Sequence, residues 1–327
     1  MKNKRLLILP LVVLTVSSCA INVHHETSDY ILTLKHEKED LRILQLTDPH
    51  LSAKDDDEAH YAIMQKTIDK AGEIDLIVVT GDLFTFASKE TAKHFFSFLD
   101  SQGCPWTVTF GNHDEQCSFS IDWMTKTLNE WGSNCYFIDQ QDDDVTGNCN
   151  FVINVMHGED LFEQLFIMDS NRYYFGSSFG YDFFKQDQID WYSRVVHDTT
   201  IQYGLTDSLM FYHIPLPEVN DAWNAAQEDP SLLKHGSKGE KCCPPDINSG
   251  FFDVIDELNS TKGMYFGHDH VNDFAVTYKD VDFVYGVKST NRIYFDKAKL
   301  GGLVINVKKD HSLVYEQIFT TYEEATK

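Results

Sequence analysis

The amino-acid sequence predicts an α/β protein with parallel strands in its first half. Strand-like and helix-like hydrophobic patterns alternate from Leu41 onward, and each apolar run is no longer than one strand. A chain of 327 residues can also bury a large core. "LRILQLT" opens the series, and Tyr61, Met64, Ile68 and Ala71 follow at helical spacing with Gly72 placed to end that helix. "DLIVVT" reads as a buried strand, followed by a helical stripe at Ala92, Phe95, Phe96 and Leu99. "PWTVTF" gives a third strand and Ile121, Met124, Leu128 and Trp131 a third helix. After "LMFYH" and "MYFGH" the chain turns strand-rich, through "FAVTY", "VDFVYG", "GGLVINV" and "SLVYEQIF". No internal repeat is visible. The expectation is one domain over residues 39–327 with a more antiparallel second half.

The first residues follow another logic. "MKNKRLLILPLVVLTVSSCA" has a basic start, an apolar stretch Leu6–Val16 and small residues before Cys19. That stretch is too short to cross a bilayer, which needs about 20 residues, so residues 1–18 read as a signal peptide. Val16-Ser17-Ser18-Cys19 resembles a lipobox, which would make Cys19 the lipidated first residue of the mature chain. Cleavage after Ala20 is the alternative. Residues 19–38 then form a lipid-anchored tether and a first strand, "YILTL".

Composition narrows the partners. The formal net charge is −24, and removing Lys2, Lys4 and Arg5 with the leader makes the body more acidic still. Such a surface repels a long nucleic acid but tolerates a small anion at a locally positive site. Besides Cys19 there are Cys104, Cys117, Cys135, Cys149, Cys242 and Cys243, an even set that permits disulfides in an exported protein. Cys135 and Cys149 flank a hairpin-like stretch, so they are the expected bridge. The acidic clusters "KDDDEAH" and "DDDVTG" read as solvated turns; the second lacks the glutamate that closes a calcium loop.

Polar clusters fall just past the apolar strands: Asp48-Pro49-His50, Gly81-Asp82, Gly111-Asn112-His113-Asp114, His213, and Gly267-His268-Asp269-His270. The carboxyl ends of strands are where open α/β sheets place ligands. Five of the fourteen histidines are thus put on one rim, whereas the rest, His36, His157 and His311 among them, show no such placement. Carboxylate and amide oxygens with several imidazoles and no thiolate suit manganese, iron or zinc. The donors exceed what one ion needs and suit two. A metal pair about 3.5–4 Å apart can clamp the attacking and leaving oxygens of a phosphoryl displacement. Two divalent ions against Asp48, Asp82 and a hydroxide leave a site near +1, able to capture phosphate inside an acidic protein.

The ordered motifs D-x-H, G-D, G-N-H-D, H and G-H-x-H over roughly residues 41–275 resemble the calcineurin-like metallophosphoesterases. "RILQLTDPHL", "TVTFGNHDE", "HIPLPE" and "FGHDHVNDF" resemble a purple-acid-phosphatase-like subgroup. The resemblance implies two mixed β-sheets packed as a sandwich with helices on the outer faces, a four-layer architecture. It also implies two divalent or trivalent ions (Mn, Fe or Zn), with Asp48, His50, Asp82 and His270 on the first. Asp82 would bridge to a second ion held by Asn112, His213 and His268. Asn112 and His113 would contact the substrate phosphate, with His113 the catalytic acid, while a metal-activated hydroxide attacks in line. One departure stands out: purple acid phosphatases carry a tyrosine ligand three residues after the bridging aspartate, and this chain has Thr85. The partner expected is a small phosphate ester outside the membrane, with Phe84, Phe86 and Trp223 as candidate walls; Arg292 reads as a surface arginine, with contact to a substrate phosphate as the alternative. The alternative is a non-catalytic metal- or solute-binding lipoprotein on the same scaffold.

Overall fold

Hydrophobic alternation along the strands sorts this chain into two sheets with a core on each side of the larger one. The computed structural model describes residues 30–53, 58–140, 145–176 and 179–325. The leader, Cys19 and parts of both acidic clusters lie outside these residues. The chain runs β1 (Ile31–Lys35), β2 (Leu41–Leu46), α1 (Glu58–Ala71), β3 (Leu76–Thr80), α2 (Lys89–Asp100), β4 (Trp106–Thr109) and α3 (Ile121–Asn129). Next come β5 (Phe151–His157), β6 (Asp160–Ile167), β7 (Tyr173–Phe175), β8 (Phe179–Tyr181), α4 (Gln186–Tyr203) and β9 (Ser208–Phe211). The last part is α5 (Val219–Glu228), β10 (Leu233–His235), α6 (Phe251–Leu258), β11 (Thr261–Phe266), β12 (Ala275–Tyr278) and β13 (Val281–Tyr285). It ends with β14 (Gly301–Val307), β15 (Leu313–Phe319) and the short α7 (Tyr322–Ala325).

One sheet has five strands in the order β15-β14-β2-β3-β4, the other eight in the order β1-β5-β6-β9-β11-β13-β12-β10. The β2, β3 and β4 strands are parallel, as are β6, β9, β11 and β13, so two parallel blocks end on one rim. The period of two along a strand then divides the core. Leu165, Leu209, Phe211 and Tyr265 point into the cluster shared with the five-stranded sheet and α1 to α3. Their neighbours Phe166, Met210, Met264 and Phe266 point into the cluster under α4 to α6. The result is the helix–sheet–sheet–helix sandwich that the resemblance implies.

The helices begin and end where the sequence directs. Ser88 and Ser120 cap α2 and α3 through Thr91 N–H and Trp123 N–H, and Gly72 closes α1 at φ 75°. Trp131 falls beyond α3 but still packs edge-on against Phe96. Among the described residues the stretch from Cys135 to Cys149 holds no paired strands, and all six described cysteines are free thiols. Cys135 bridges to Trp106 at the start of β4, whereas Cys149 lies against the Thr109 hydroxyl at its end. Three residues of strand separate those positions by about 10 Å, beyond the reach of a disulfide. No helix among the described residues is long and apolar enough to cross a membrane.

Candidate metal centre

The rim brings together polar loops from both sheets. Asp48 and His50 follow β2, Asp82 follows β3, and Asn112 and His113 follow β4; His213 follows β9, and His268 and His270 follow β11. Gln45 ties the two sheets just below, donating to Thr80 Oγ1 and to the Phe266 carbonyl. Close approach needs glycine here: a Cβ on Gly111 would lie 2.3 Å from Asp82 Oδ1, and one on Gly81, at φ 80°, 2.6 Å from the His213 ring.

Two groups of ligand atoms converge. Asp48, His50, Asp82 and His270 offer donors all within 4.8 Å of one another, and so do Asp82, His213 and His268, with Asp82 in both groups. His50 Nε2 lies 2.9 Å from His270 Nε2 and 3.5 Å from Asp82 Oδ2, while His213 Nε2 lies 3.2 Å from the same oxygen. Every one of these side chains is buried.

The arrangement fits metal ions. His50 Nδ1 is held by Thr85 Oγ1, His213 Nδ1 by the Thr80 carbonyl and His270 Nδ1 by the Tyr294 carbonyl, at 2.8–2.9 Å. Fixing Nδ1 aims Nε2 at a common point, as in metal-binding histidines generally. Buried Asn112 Oδ1 has no hydrogen-bond partner, although a buried polar atom ordinarily has one. Burial works against ionising Asp48, but its hydrogen bond to His270 and the charges of His213 and Lys288 hold the carboxyl below its ordinary range. Burial likewise opposes charge on His213, yet Asp82 pushes it up to about 10; burial, with the neighbouring His213, takes His268 down to about 3. A histidine ligates a metal in its neutral form, so metal binding at His213 would be favoured by loss of its proton.

A strap formed by residues 288–292 holds the first ligand loop. Ser289 N–H donates to the Thr47 carbonyl (3.0 Å), Lys288 Nζ to that of Asp48 (2.8 Å), Thr290 Oγ1 to that of Pro49 (2.8 Å) and Arg292 Nε to that of His50 (3.4 Å). Ser289 Oγ accepts from Thr47 N–H in return. Asp48 and His50 both need this support, because they stand at φ 53° and 49°, left-handed values that cost a non-glycine residue about 1–3 kcal/mol. Asp82 (φ 48°) and His268 (φ 77°) share that conformation. Burial pulls the Lys288 ammonium down to about 8 against the opposing influence of Asp48 and Asp82.

His113 stands apart from the ligands as half-buried among fully buried groups, with its ring edge against His50. Its N–H donates to Asp82 Oδ1, and its Nδ1 pairs with Gln116 Oε1 at 2.8 Å. Gln116 is thus the group that orients the imidazole. Asp114 instead accepts from Gly111 N–H and Phe84 N–H, joining two ligand loops. Thr85 orients His50. Two expected walls move away from the site: Phe84 is core, packed on Phe95, Phe96 and Phe119, and Trp223 packs on Phe274. Arg292 holds the His50 carbonyl.

The aromatic neighbours that the sequence reading missed are Tyr173, Tyr181 and Tyr294. Asn112 Nδ2 donates to Tyr173 Oη, Tyr181 meets the His268 ring edge-on, and Tyr294 stacks on His270. The alternating aromatics of "RYYFGSSFGYDFF" were the available signal for the first two.

Two β-sheets back to back, with buried carboxylates, an amide and histidines gathered at one rim, define a metallophosphoesterase architecture. The chain belongs to the calcineurin-like phosphoesterase family, whose model matches residues 41–286. It is 29% identical over 248 residues to "Probable inactive purple acid phosphatase 14" of Arabidopsis thaliana, covering 68% of this chain and 60% of that one. It is 27% identical over 182 residues to "Phosphatase DCR2" of Saccharomyces cerevisiae, covering 53% of this chain and 31% of that one. The match thus spans three fifths of the first relative's length and less of the second's. A dimetal phosphatase from Danio rerio shares the fold with a TM-score of 0.52 at 12% identity, covering 85% of this chain and 99% of that one.

Proposed function

We propose that the chain hydrolyses phosphate esters at a dinuclear metal centre. Asp48, His50, Asp82 and His270 would hold one ion, and Asp82, Asn112, His213 and His268 the other. The observation that carries this reading is the sharing of Asp82 between two convergent groups of buried donors. Oxygen and imidazole donors without thiolate suit manganese, iron or zinc. When bound, two such ions supply positive charge for a phosphate and lower the pKa of a water toward neutrality.

The chain's own residues account for the remaining chemistry. Asn112 presents an amide beside the second group, and Tyr173 fixes its orientation. Gln116 occupies Nδ1 of His113, which leaves Nε2 to pass a proton to the departing ester oxygen. The His113 N–H bond to Asp82 ties that proton donor to the shared ligand.

The alternative, a metal- or solute-binding protein without turnover, gains weight from the word "inactive" in the name of the Arabidopsis relative. An imidazole held for proton exchange beside the ligands favours catalysis. The deciding experiment is a panel of nitrophenyl phosphate, bis-nitrophenyl phosphate and nucleotides, assayed after loading with manganese, iron or zinc. Hydrolysis of at least one, abolished by chelation, is expected. Metal binding without hydrolysis of any would establish the alternative.

The leader "MKNKRLLILPLVVLTVSSCA" supports a further proposal, that the protein works outside the membrane, anchored through lipidated Cys19. A lipoprotein's several acyl chains hold firmly where one alone would be marginal. Mass spectrometry of the mature N-terminus should find acylated Cys19; an unmodified Ile21 would mean plain secretion.

A further inference from the structure

The ribbon of β7 and β8 lies outside both large sheets, and its register puts four aromatic rings on one face. Tyr173 pairs with Tyr181 and Phe175 with Phe179. Opposed residues share a face and alternate residues along a strand return to it, so Tyr173, Phe175, Phe179 and Tyr181 form a single aromatic surface. The rings are in contact: Tyr173 stacks on Phe179 at 5.4 Å and on Tyr181 at 5.9 Å, and Phe175 meets Phe179 at 5.4 Å. On the opposite face, Tyr174 packs against Phe183, with Lys185 over its ring. That face is satisfied by protein.

The aromatic face is anchored to the candidate metal centre at one end and open at the other. Its inner pair touches two residues of the second ligand group: Tyr173 Oη accepts from Asn112 Nδ2 at 2.9 Å, and Tyr181 meets the His268 ring at 4.3 Å. Its outer pair is bare, with Phe175 81% and Phe179 66% exposed. Two neighbouring exposed phenylalanines contiguous with a polar site are costly unless something covers them, and such patches mark binding surfaces. A group laid along them lies next to the site, because the rings run unbroken from solvent to Asn112.

We propose that this face is the subsite for the group released from the ester, and that it takes a planar aromatic ring by stacking. The inference rests on the phosphoesterase reading and narrows it to phosphate esters of ring-bearing alcohols. Stacking on an aromatic side chain is worth roughly 5- to 150-fold in affinity. A surface of stacked rings accepts different planar groups without reading their edges. An aliphatic group would gain far less from it.

Non-hydrolysable probes separate this claim from catalysis. Calorimetry on the metal-loaded protein should show phenylphosphonate binding at least 5-fold more tightly than methylphosphonate. Phe179→Ala should weaken phenylphosphonate several-fold more than methylphosphonate, with metal content unchanged, and Phe179→Tyr should restore the preference. Equal affinities, equal losses, or no binding of either probe would overturn the subsite. If the preference appears in a protein that hydrolyses nothing, the subsite stands and the phosphoesterase reading fails. Hydrolysis of aryl and alkyl phosphates that Phe179→Ala impairs equally would leave the enzyme standing and remove the subsite.

Discussion

The described residues carry a histidine–carboxylate cluster at each end of the sheets, and of these two only the rim cluster gathers its ligand atoms as a metal needs. At the rim, imidazole nitrogens and carboxylate oxygens from four loops converge in two groups, each within 4.8 Å. At the opposite end, His36, His157 and His311 gather with Phe162 and Glu163, where β5 ends and β6 begins. There the rings lie flat against one another: His36 on His157 at 5.2 Å, His157 on Phe162 at 4.3 Å, Phe162 on His311 at 5.0 Å. His36 Nε2 pairs with the Asp40 carbonyl and His311 Nδ1 with Glu163, so the donor atoms do not gather. The same residue types make a stacked plug at one end and a ligand cage at the other. Backbone geometry decides between them. Left-handed turns after β2, β3 and β11 swing Asp48, His50, Asp82 and His268 inward, and the 288–292 strap holds the first two there.

Substitutions at the two ends should separate these roles. The largest effect is expected from Asp82→Ala, which removes the oxygen common to both ligand groups. Elemental analysis should find both ions depleted, and turnover should fall by more than the 10²–10⁴-fold typical of a lost general acid. Full double occupancy in that variant would break the shared-ligand assignment. Next, His113→Asn should keep the metals and lose about 10²–10⁴-fold in rate. The loss should be greater on alkyl than on nitrophenyl esters, because nitrophenolate departs without a proton. Equal losses would mean that His113 binds phosphate without donating a proton.

The strap should show a smaller effect. Lys288→Met removes the bond to the Asp48 carbonyl and a buried charge, and should cost about 10–100-fold in metal affinity or activity. Metal titration checks it, and unchanged affinity would make the strap a packing feature only.

At the far end, burial pushes the Glu163 carboxyl up to about 7 from an ordinary 4.5. Between those values the folded chain keeps a proton that the unfolded chain has released, so stability falls as pH rises through that window. Glu163→Gln should therefore stabilise the protein at pH 8 relative to pH 5, on the order of 2 kcal/mol by urea melts, with turnover untouched. A loss of turnover would join the two clusters that the comparison separates.

Much of the rim was legible in the sequence because each polar cluster directly follows an apolar run. The strand ends are marked by hydrophobicity, and the ligands by residue type. Hidden from that logic were contacts between segments distant along the chain. Lys288 and Thr290 lie 240 and 241 residues from the carbonyls they hold, and no local pattern connects them. Gln116 was hidden for a different reason: only the turn after His113 folds its amide back onto the imidazole. The Cys135–Cys149 expectation failed because spacing alone suggested a hairpin, whereas Cys135 lies beside the start of β4 and Cys149 beside its end. Parallel strands near the rim carry no mark of which sheet they join. The expectation of two sheets therefore came from resemblance to a family rather than from periodicity, and the division into five and eight strands is read only from the structure.

The central claim is that the rim cluster, and not the far one, holds two metal ions. Metal content per chain, measured by elemental analysis after loading and exhaustive desalting, tests it most directly. The account predicts close to two ions per chain, unchanged in Glu163→Gln and sharply reduced in Asp82→Ala. At most a trace in the loaded wild-type protein, or the same content in Asp82→Ala, would contradict it.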